Sequence, residues 1–166
     1  MATSRDNREV STYVAWQSHL GVELQIARLR DAATTEPALG GQHLVDTLGL
    51  VIALWRLRLS AQLSQRLKGS STRVDLALQE FEKATAGLRS LRNVAMHFDE
   101  YVLETDKRRT KVGEPPHVVA TGDLWAFKLD VRHVEWLDVR LDFEKVEQAA
   151  RRLYDAVQAD NNSQLD

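Results

Sequence analysis

Residues 42–68 place the strongest constraint on what this chain can fold into. Their middle is apolar on nearly every side of a helix, through Leu44, Val45, Leu48, Leu50, Val51, Ile52, Leu54, Trp55, Leu57 and Leu59. A helix that is apolar all round must be covered on most of its sides. The stretch therefore predicts a long helix that other helices of the chain, or a second subunit, enclose.

Three further segments repeat apolar residues at every third or fourth position, which is typical of helices packed against a core. They predict a first helix over residues 6–33, a third from about residue 74 to about residue 104, and a fourth capped by Asp142. Pro37, the pair Gly40–Gly41 and Gly69 are the breaks between the first three. The first helix carries a main stripe, widened by Val22, Ile26 and Leu29, that consists of Val10, Tyr13, Trp16, Leu20, Leu24 and Ala27.

The apolar period changes to two after the third predicted helix. Apolar side chains occupy every second position in two short runs, which are Trp125, Phe127 and Leu129, then Leu137, Val139 and Leu141. Such alternation is the pattern of half-buried strands, so it predicts a β-hairpin over about residues 123–141. A short extra strand is expected at residues 118–120. The predicted fold is therefore mainly α, an antiparallel four-helix-type bundle with a small β-hairpin inserted before the last helix.

The length of 166 residues predicts a single domain, residues 1–166, with an ordered core over about residues 6–159. No signal peptide is visible at the N-terminus, and the longest apolar run, residues 48–57, is too short to cross a membrane. We therefore expect a cytoplasmic protein with no membrane partner.

Composition also narrows the chemistry. Cysteine is absent, which excludes disulfide frameworks, thiolate metal sites and cysteine nucleophiles. Four of the five histidines show no metal-ligand spacing, and neither Gly40-Gly41 nor Gly69-Ser70 has the pattern of a phosphate-binding loop. We expect neither a metal nor a cofactor. The formal net charge is −2, so any binding of nucleic acid would depend on a local basic patch.

The polar side of residues 88–102 carries the candidate catalytic residues Arg92, Asn93 and His97. Histidine exchanges protons near neutral pH, and an arginine fork binds phosphate oxygens. On an ideal helix Asn93 and His97 share a face, but Arg92 and His97 point about 140° apart. The two can converge if the long Arg92 side chain bends around Met96, if the helix is distorted, or if a second copy of the chain brings its own pair across a cleft. The alternative is that they form ordinary surface or interface hydrogen bonds.

The run Arg92-Asn93-Val94-Ala95-Met96-His97 resembles the motif of the HEPN superfamily, in which an arginine precedes a histidine by a short interval. Its predicted place, late on the third helix of a bundle with one helix after it, is similar to that of the family. The tyrosine that follows the histidine in HEPN toxins paired with nucleotidyltransferase antitoxins is replaced here by Asp99. The likeness of the motif covers residues 91–102, and the likeness of the architecture covers most of the chain.

The resemblance implies a homodimer whose two motifs face each other across a cleft and cut RNA without a metal, as a toxin or in defence. Arg92 would bind the scissile phosphate, Asn93 would orient the site, and His97 would transfer protons. An antitoxin would be a further partner. Since many HEPN domains are not catalytic, the alternative is a module that binds a nucleotide, RNA or another protein.

A basic cluster lies in the predicted loop at residues 106–116. It consists of Lys107, Arg108, Arg109 and Lys111. Four cations so close together would attract an RNA backbone in a salt-sensitive way. A solvated loop is the alternative, because no aromatic residues are interleaved for base stacking.

Overall fold

The computed structural model describes residues 4–35, 40–68, 71–97 and 126–162. Within these ranges the helices are α1 (Ser4–Thr34), α2 (Gly40–Lys68), α3 (Thr72–Ala84), α4 (Leu88–Met96) and α5 (Phe143–Asn162). The strands are β1 (Phe127–Leu129), β2 (His133–Trp136) and β3 (Val139–Asp142). The structure confirms a mainly α fold with a small β element before the last helix.

α1 and α2 form an antiparallel pair. Arg28 near the end of α1 lies 3.5 Å from Asp46 near the start of α2, and Arg56 donates to Gln17 at 3.4 Å. Midway along the pair, an added Cβ on Gly21 would lie 3.2 Å from the Cβ of Ala53, so the two backbones approach closely there. α5 packs against α1, α2 and α3, and the common core includes Ile26, Leu29, Leu50, Leu54, Leu57, Phe81, Phe143 and Leu153.

The predicted single third helix is wrong, because the chain turns between α3 and α4. The backbone N–H and the hydroxyl of Thr85 both donate to the Phe81 carbonyl, at 2.9 Å and 2.7 Å. Gly87 then adopts a φ of 85°, in the left-handed region that glycine tolerates best. Phe81 and Leu88 are seven residues apart, so the apolar period passes through the turn without a visible break. α4 ends at Met96, and the part of the prediction beyond residue 97 lies outside the described residues.

The β element is a three-stranded antiparallel sheet in the order β1-β2-β3, rather than a two-stranded hairpin. The predicted second strand began at Leu137, but Leu137 and Asp138 form the turn between β2 and β3, with φ of 51° and 60°. Two consecutive positive φ values suit a tight hairpin, yet this pair lacks the glycine that usually signals one. β2 was missed for that reason. The extra strand predicted at residues 118–120 and the start of the hairpin at residues 123–125 lie outside the described residues.

The main apolar stripe predicted for the first helix does not face the core. Val10, Tyr13, Trp16, Leu20 and Leu24 are exposed, whereas Ala15, Val22, Ile26 and Leu29 are fully buried. α1 is apolar on two opposite faces. The residues that pack against the core are Val22, Ile26 and Leu29, which were predicted only to widen the main stripe. In the part of the chain that the structure describes, no helix combines the length and the apolar character that crossing a membrane requires.

Candidate functional site

The turn between α3 and α4 opens a pocket of about 410 Å³, which we call the arginine pocket. It lies between α2 and the N-terminal half of α4. The pocket is lined by Trp55, Arg58, Glu82, Thr85, Ala86, Gly87, Leu88, Arg89, Arg92 and Asn93. The lining therefore combines residues of α2, the end of α3, the turn through Gly87 and α4.

Positive charge dominates the described lining of the arginine pocket. The described lining contains three guanidinium groups, those of Arg58, Arg89 and Arg92, and one carboxylate, that of Glu82. Arg58 donates two hydrogen bonds to Glu82 Oε1, at 2.9 Å from Nε and 2.7 Å from Nη2. This ion pair leaves two cations in excess along the wall formed by α4. Such a surplus in a concave site attracts anions, and planar guanidinium groups suit phosphate oxygens.

Trp55 holds two of these arginines in place. The guanidinium carbon of Arg58 lies 5.2 Å from the centroid of the Trp55 ring, and that of Arg92 lies 5.3 Å away. Both distances are within the range of cation–π attraction. A residue on α2 thus orients cations from two helices toward the same cavity.

Arg92 and Asn93 are in direct contact. Nη1 of Arg92 donates to Oδ1 of Asn93 at 3.2 Å, while Nε of Arg92 is buried and has no hydrogen-bond partner within the described ranges. A buried N–H group without a partner carries a desolvation penalty that an acceptor atom would relieve. The half-buried Arg92 therefore retains donor capacity that an oxyanion could use.

His97 is the candidate that the arginine pocket does not include. It follows the last residue of α4, where its φ of −126° and ψ of 28° leave the helix, and its N–H donates to the Val94 carbonyl at 3.2 Å. The ideal-helix projection of Asn93 and His97 onto one face therefore does not apply. His97 is half-buried and lies four residues after Asn93, just beyond the end of α4. The structure brings Arg92 and Asn93 together and leaves His97 outside the lining of their pocket.

Eight lining residues were not among the predicted site residues, and the four of these with charged or aromatic side chains are Trp55, Arg58, Glu82 and Arg89. Arg89 has a sequence signal, because it lies three residues before Arg92 and such pairs share a helix face. The other three have none, since Trp55 and Arg58 reach the pocket only through the packing of α2 on α4, and Glu82 only through the turn between α3 and α4. The predicted RNA-binding cluster Lys107, Arg108, Arg109 and Lys111 lies outside the described residues.

The charged side chains of the sheet contrast with this pocket. Lys128 and Glu135 form an ion pair across β1 and β2, and their hydrogen bond raises the pKa of Lys128 and lowers that of Glu135. Asp130 accepts from the backbone N–H groups of Arg132 and His133 at 2.7 Å and 2.8 Å. The bond from Arg132 is the main reason that the pKa of Asp130 lies below its usual value. These charges are satisfied within the sheet.

Neither a metal-binding group of side chains nor comparison with known proteins identifies a family for the chain. Among the described residues, no three His, Asp or Glu side chains are grouped so that they could hold a metal ion. No family model, curated protein or solved structure matches the chain. The resemblance to the HEPN superfamily therefore depends on the motif at residues 92–97 and on the helical architecture.

Proposed function

We propose that this chain is a HEPN-type, metal-independent endoribonuclease that acts as a homodimer. The observation that carries the proposal is the arginine pocket, in which Arg92 and Asn93 of the motif stand beside two further arginines. The metal independence is taken from the resemblance. The same resemblance suggests a toxin or defence role in the cytoplasm, with an antitoxin as a further partner.

In the proposed reaction, a ribose 2′-hydroxyl attacks the adjacent phosphorus atom and the bond to the 5′ oxygen breaks. The products are a 2′,3′-cyclic phosphate and a free 5′-hydroxyl end. Arg92 neutralises the charge that develops on the phosphate oxygens, and Asn93 fixes the orientation of the Arg92 guanidinium through their hydrogen bond. His97 transfers a proton at the attacking or the leaving oxygen, because imidazole exchanges protons near neutral pH.

The position of His97 supports a composite site. His97 does not line the pocket that contains Arg92 and Asn93 of its own chain. In the proposal, each site therefore combines Arg92 and Asn93 from one copy with the histidine of the other. A twofold axis would create two such sites in each dimer.

The same observation favours a second candidate function. A pocket with surplus arginines and, among the described residues, no histidine in its lining can bind RNA or a nucleotide through phosphate groups without catalysing a reaction. In that case Arg92 would contribute to affinity, and His97 would not.

Purified protein incubated with mixed RNA in EDTA tests the proposal. We expect cleavage with 2′,3′-cyclic phosphate ends and a loss of about 100-fold or more in rate for Arg92→Ala and for His97→Ala. Arg140→Ala, at an exposed position on β3, is the matched control and should cleave as the wild type does. Cleavage that neither site variant alters would contradict the proposal. RNA binding without turnover, weakened by Arg92→Ala alone, would indicate the binding module.

A further inference from the structure

A second unexplained surface lies on the side of α1 that faces away from the core. Val10, Tyr13, Trp16, Leu20 and Leu24 are between 44% and 56% exposed there. Trp16, Leu20 and Leu24 follow one another at intervals of four residues. Single exposed apolar residues are ordinary on a protein surface, but an aligned row of five is not. The described residues of the chain leave this row uncovered.

α2 carries a matching row on its outward side. Val45, Leu48, Ile52, Trp55 and Leu59 recur at intervals of three, four, three and four residues. Val45 and Leu59 are exposed by 61% and 44%, Ile52 is partly buried, and Leu48 and Trp55 are partly buried and also pack against the core. A three-four repeat sustained over two heptads is the seam along which one helix packs against another. The core-facing residues of α2, such as Leu50, Leu54 and Leu57, form a separate row.

The two rows form one surface. Gly21 lies against Ala53 and Arg56 bonds to Gln17, so Leu20 on α1 and Ile52 on α2 lie at the same level of the antiparallel pair. Each row rises about 20 Å along its helix. We call this surface the outward face of α1 and α2.

The area of the outward face matches what a stable dimer needs. Its seven exposed side chains present on the order of 600 Å² of apolar surface, at the upper end of what a monomer shows. Two such faces in contact would bury roughly 1,200 Å² before any contribution from the polar rim, which is within the range of specific interfaces. A second copy supplies a partner of equal size and equal apolar character.

We infer that the outward face of α1 and α2 is the surface through which two copies of this chain associate. An isologous contact pairs each helix pair with its twofold copy and creates a four-helix arrangement. The inference rests on the proposed function for the existence of a dimer, whereas the face itself is argued from exposure and spacing alone. Trp55 belongs both to the seam on α2 and to the arginine pocket, so the pocket borders the interface.

Sedimentation equilibrium of the full chain tests the inference. The wild type should show twice the monomer mass of 18.8 kDa. Leu20→Glu puts a charge in the centre of the apolar face, so we expect the dimer dissociation constant to rise at least 100-fold. Leu24→Glu is a second variant with the same expectation. Circular dichroism should show wild-type helix content, because both side chains are exposed in the single chain.

Leu76→Glu is the matched control, since Leu76 is 57% exposed on α3, a helix that contributes no residue to the outward face. It should remain dimeric. A wild type that stays monomeric at every concentration, as it would if another segment of this chain or another protein covered the face, would overturn the inference. The inference would also be overturned if the Leu20→Glu variant and the Leu24→Glu variant both stayed dimeric. A dimer that both variants leave intact would overturn this inference alone, whereas a monomeric wild type would also contradict the composite site, and loss of RNA cleavage in a dimeric wild type would contradict only the proposed nuclease.

Discussion

The sheet and the arginine pocket use charged residues in opposite ways. In the sheet, Lys128 pairs with Glu135 and Asp130 accepts two backbone hydrogen bonds. In the pocket, three arginines line the cavity with a single carboxylate, and the buried Nε of Arg92 has no partner within the described ranges. The charges of the sheet stabilise the fold, whereas those of the pocket leave donor capacity for a ligand.

The two regions touch at Gly87. A Cβ added to this residue would lie 2.6 Å from Cγ2 and 2.9 Å from Cγ1 of Val139 on β3. The turn that opens the arginine pocket is thus held against the sheet, and a change there tests both regions at once.

Gly87→Ala should have the largest effect on stability. The positive φ costs about 1–2 kcal/mol for a residue with a Cβ, and overpacking against Val139 adds about 1–3 kcal/mol. We expect the free energy of unfolding to fall by about 2–5 kcal/mol, measured by urea denaturation.

Val139→Ala provides the control for the steric part of that loss. Val139→Ala removes both Cγ atoms that the new Cβ would meet. The free energy of unfolding of the double variant, Gly87→Ala with Val139→Ala, should therefore be at least about 1 kcal/mol higher than the two single changes predict when their effects are added. Additive effects would show that the turn and the sheet are not in contact as described.

Arg89→Ala should have an intermediate effect, on binding rather than on stability. We expect the affinity for single-stranded RNA to fall about 3- to 10-fold, and the slope of log affinity against log salt concentration to lose about 0.7 for one phosphate contact. The measurement is best made with His97→Ala protein, so that cleavage does not consume the RNA. Arg66→Ala, exposed on α2 outside the pocket lining, should leave both values unchanged. An unchanged salt slope for Arg89→Ala would place the RNA elsewhere.

Asp130→Ala should have the smallest effect, confined to stability. The pKa of Asp130 lies below its ordinary value of 3.8, chiefly because the Arg132 N–H donates to the carboxylate. A lowered pKa means that the stabilisation is complete above that ordinary value and is lost as the pH falls through the folded value. The small difference from wild type in thermal melting should be present at pH 7 and vanish in strong acid. Gln79→Ala, which replaces an exposed side chain on α3 that does not ionise, should show no such pH dependence; equal pH profiles would contradict the assignment.

The sequence predicted the helical elements well because apolar spacing reports them directly. It did not reveal the turn at Thr85 and Gly87, since the spacing from Phe81 to Leu88 preserves the helical period across the interruption. It also did not show which of the two apolar faces of α1 is buried, because both repeat regularly and only packing decides between them.

The candidate site was predictable only in part. Arg92 and Asn93 were found from the motif, and the arginine pocket contains both. Trp55 and Arg58 are remote in the chain and reach the pocket through the contact of α2 with α4. The end of α4 at Met96 changes the geometry that was assumed for His97, and no residue at that position signals the helix end in the sequence.

Complementation between two inactive variants tests the composite site most directly. Arg92→Ala and His97→Ala chains are co-expressed with different tags, and their RNA cleavage is compared with that of each variant alone. A mixed dimer would keep one intact site, with arginine from one copy and histidine from the other.

We predict recovery of roughly a quarter of wild-type activity, because half of the dimers are mixed and each has one of two sites intact. Purified mixed dimers should reach about half of the wild-type activity. Mixed dimers as inactive as either variant alone would contradict a site shared between two copies.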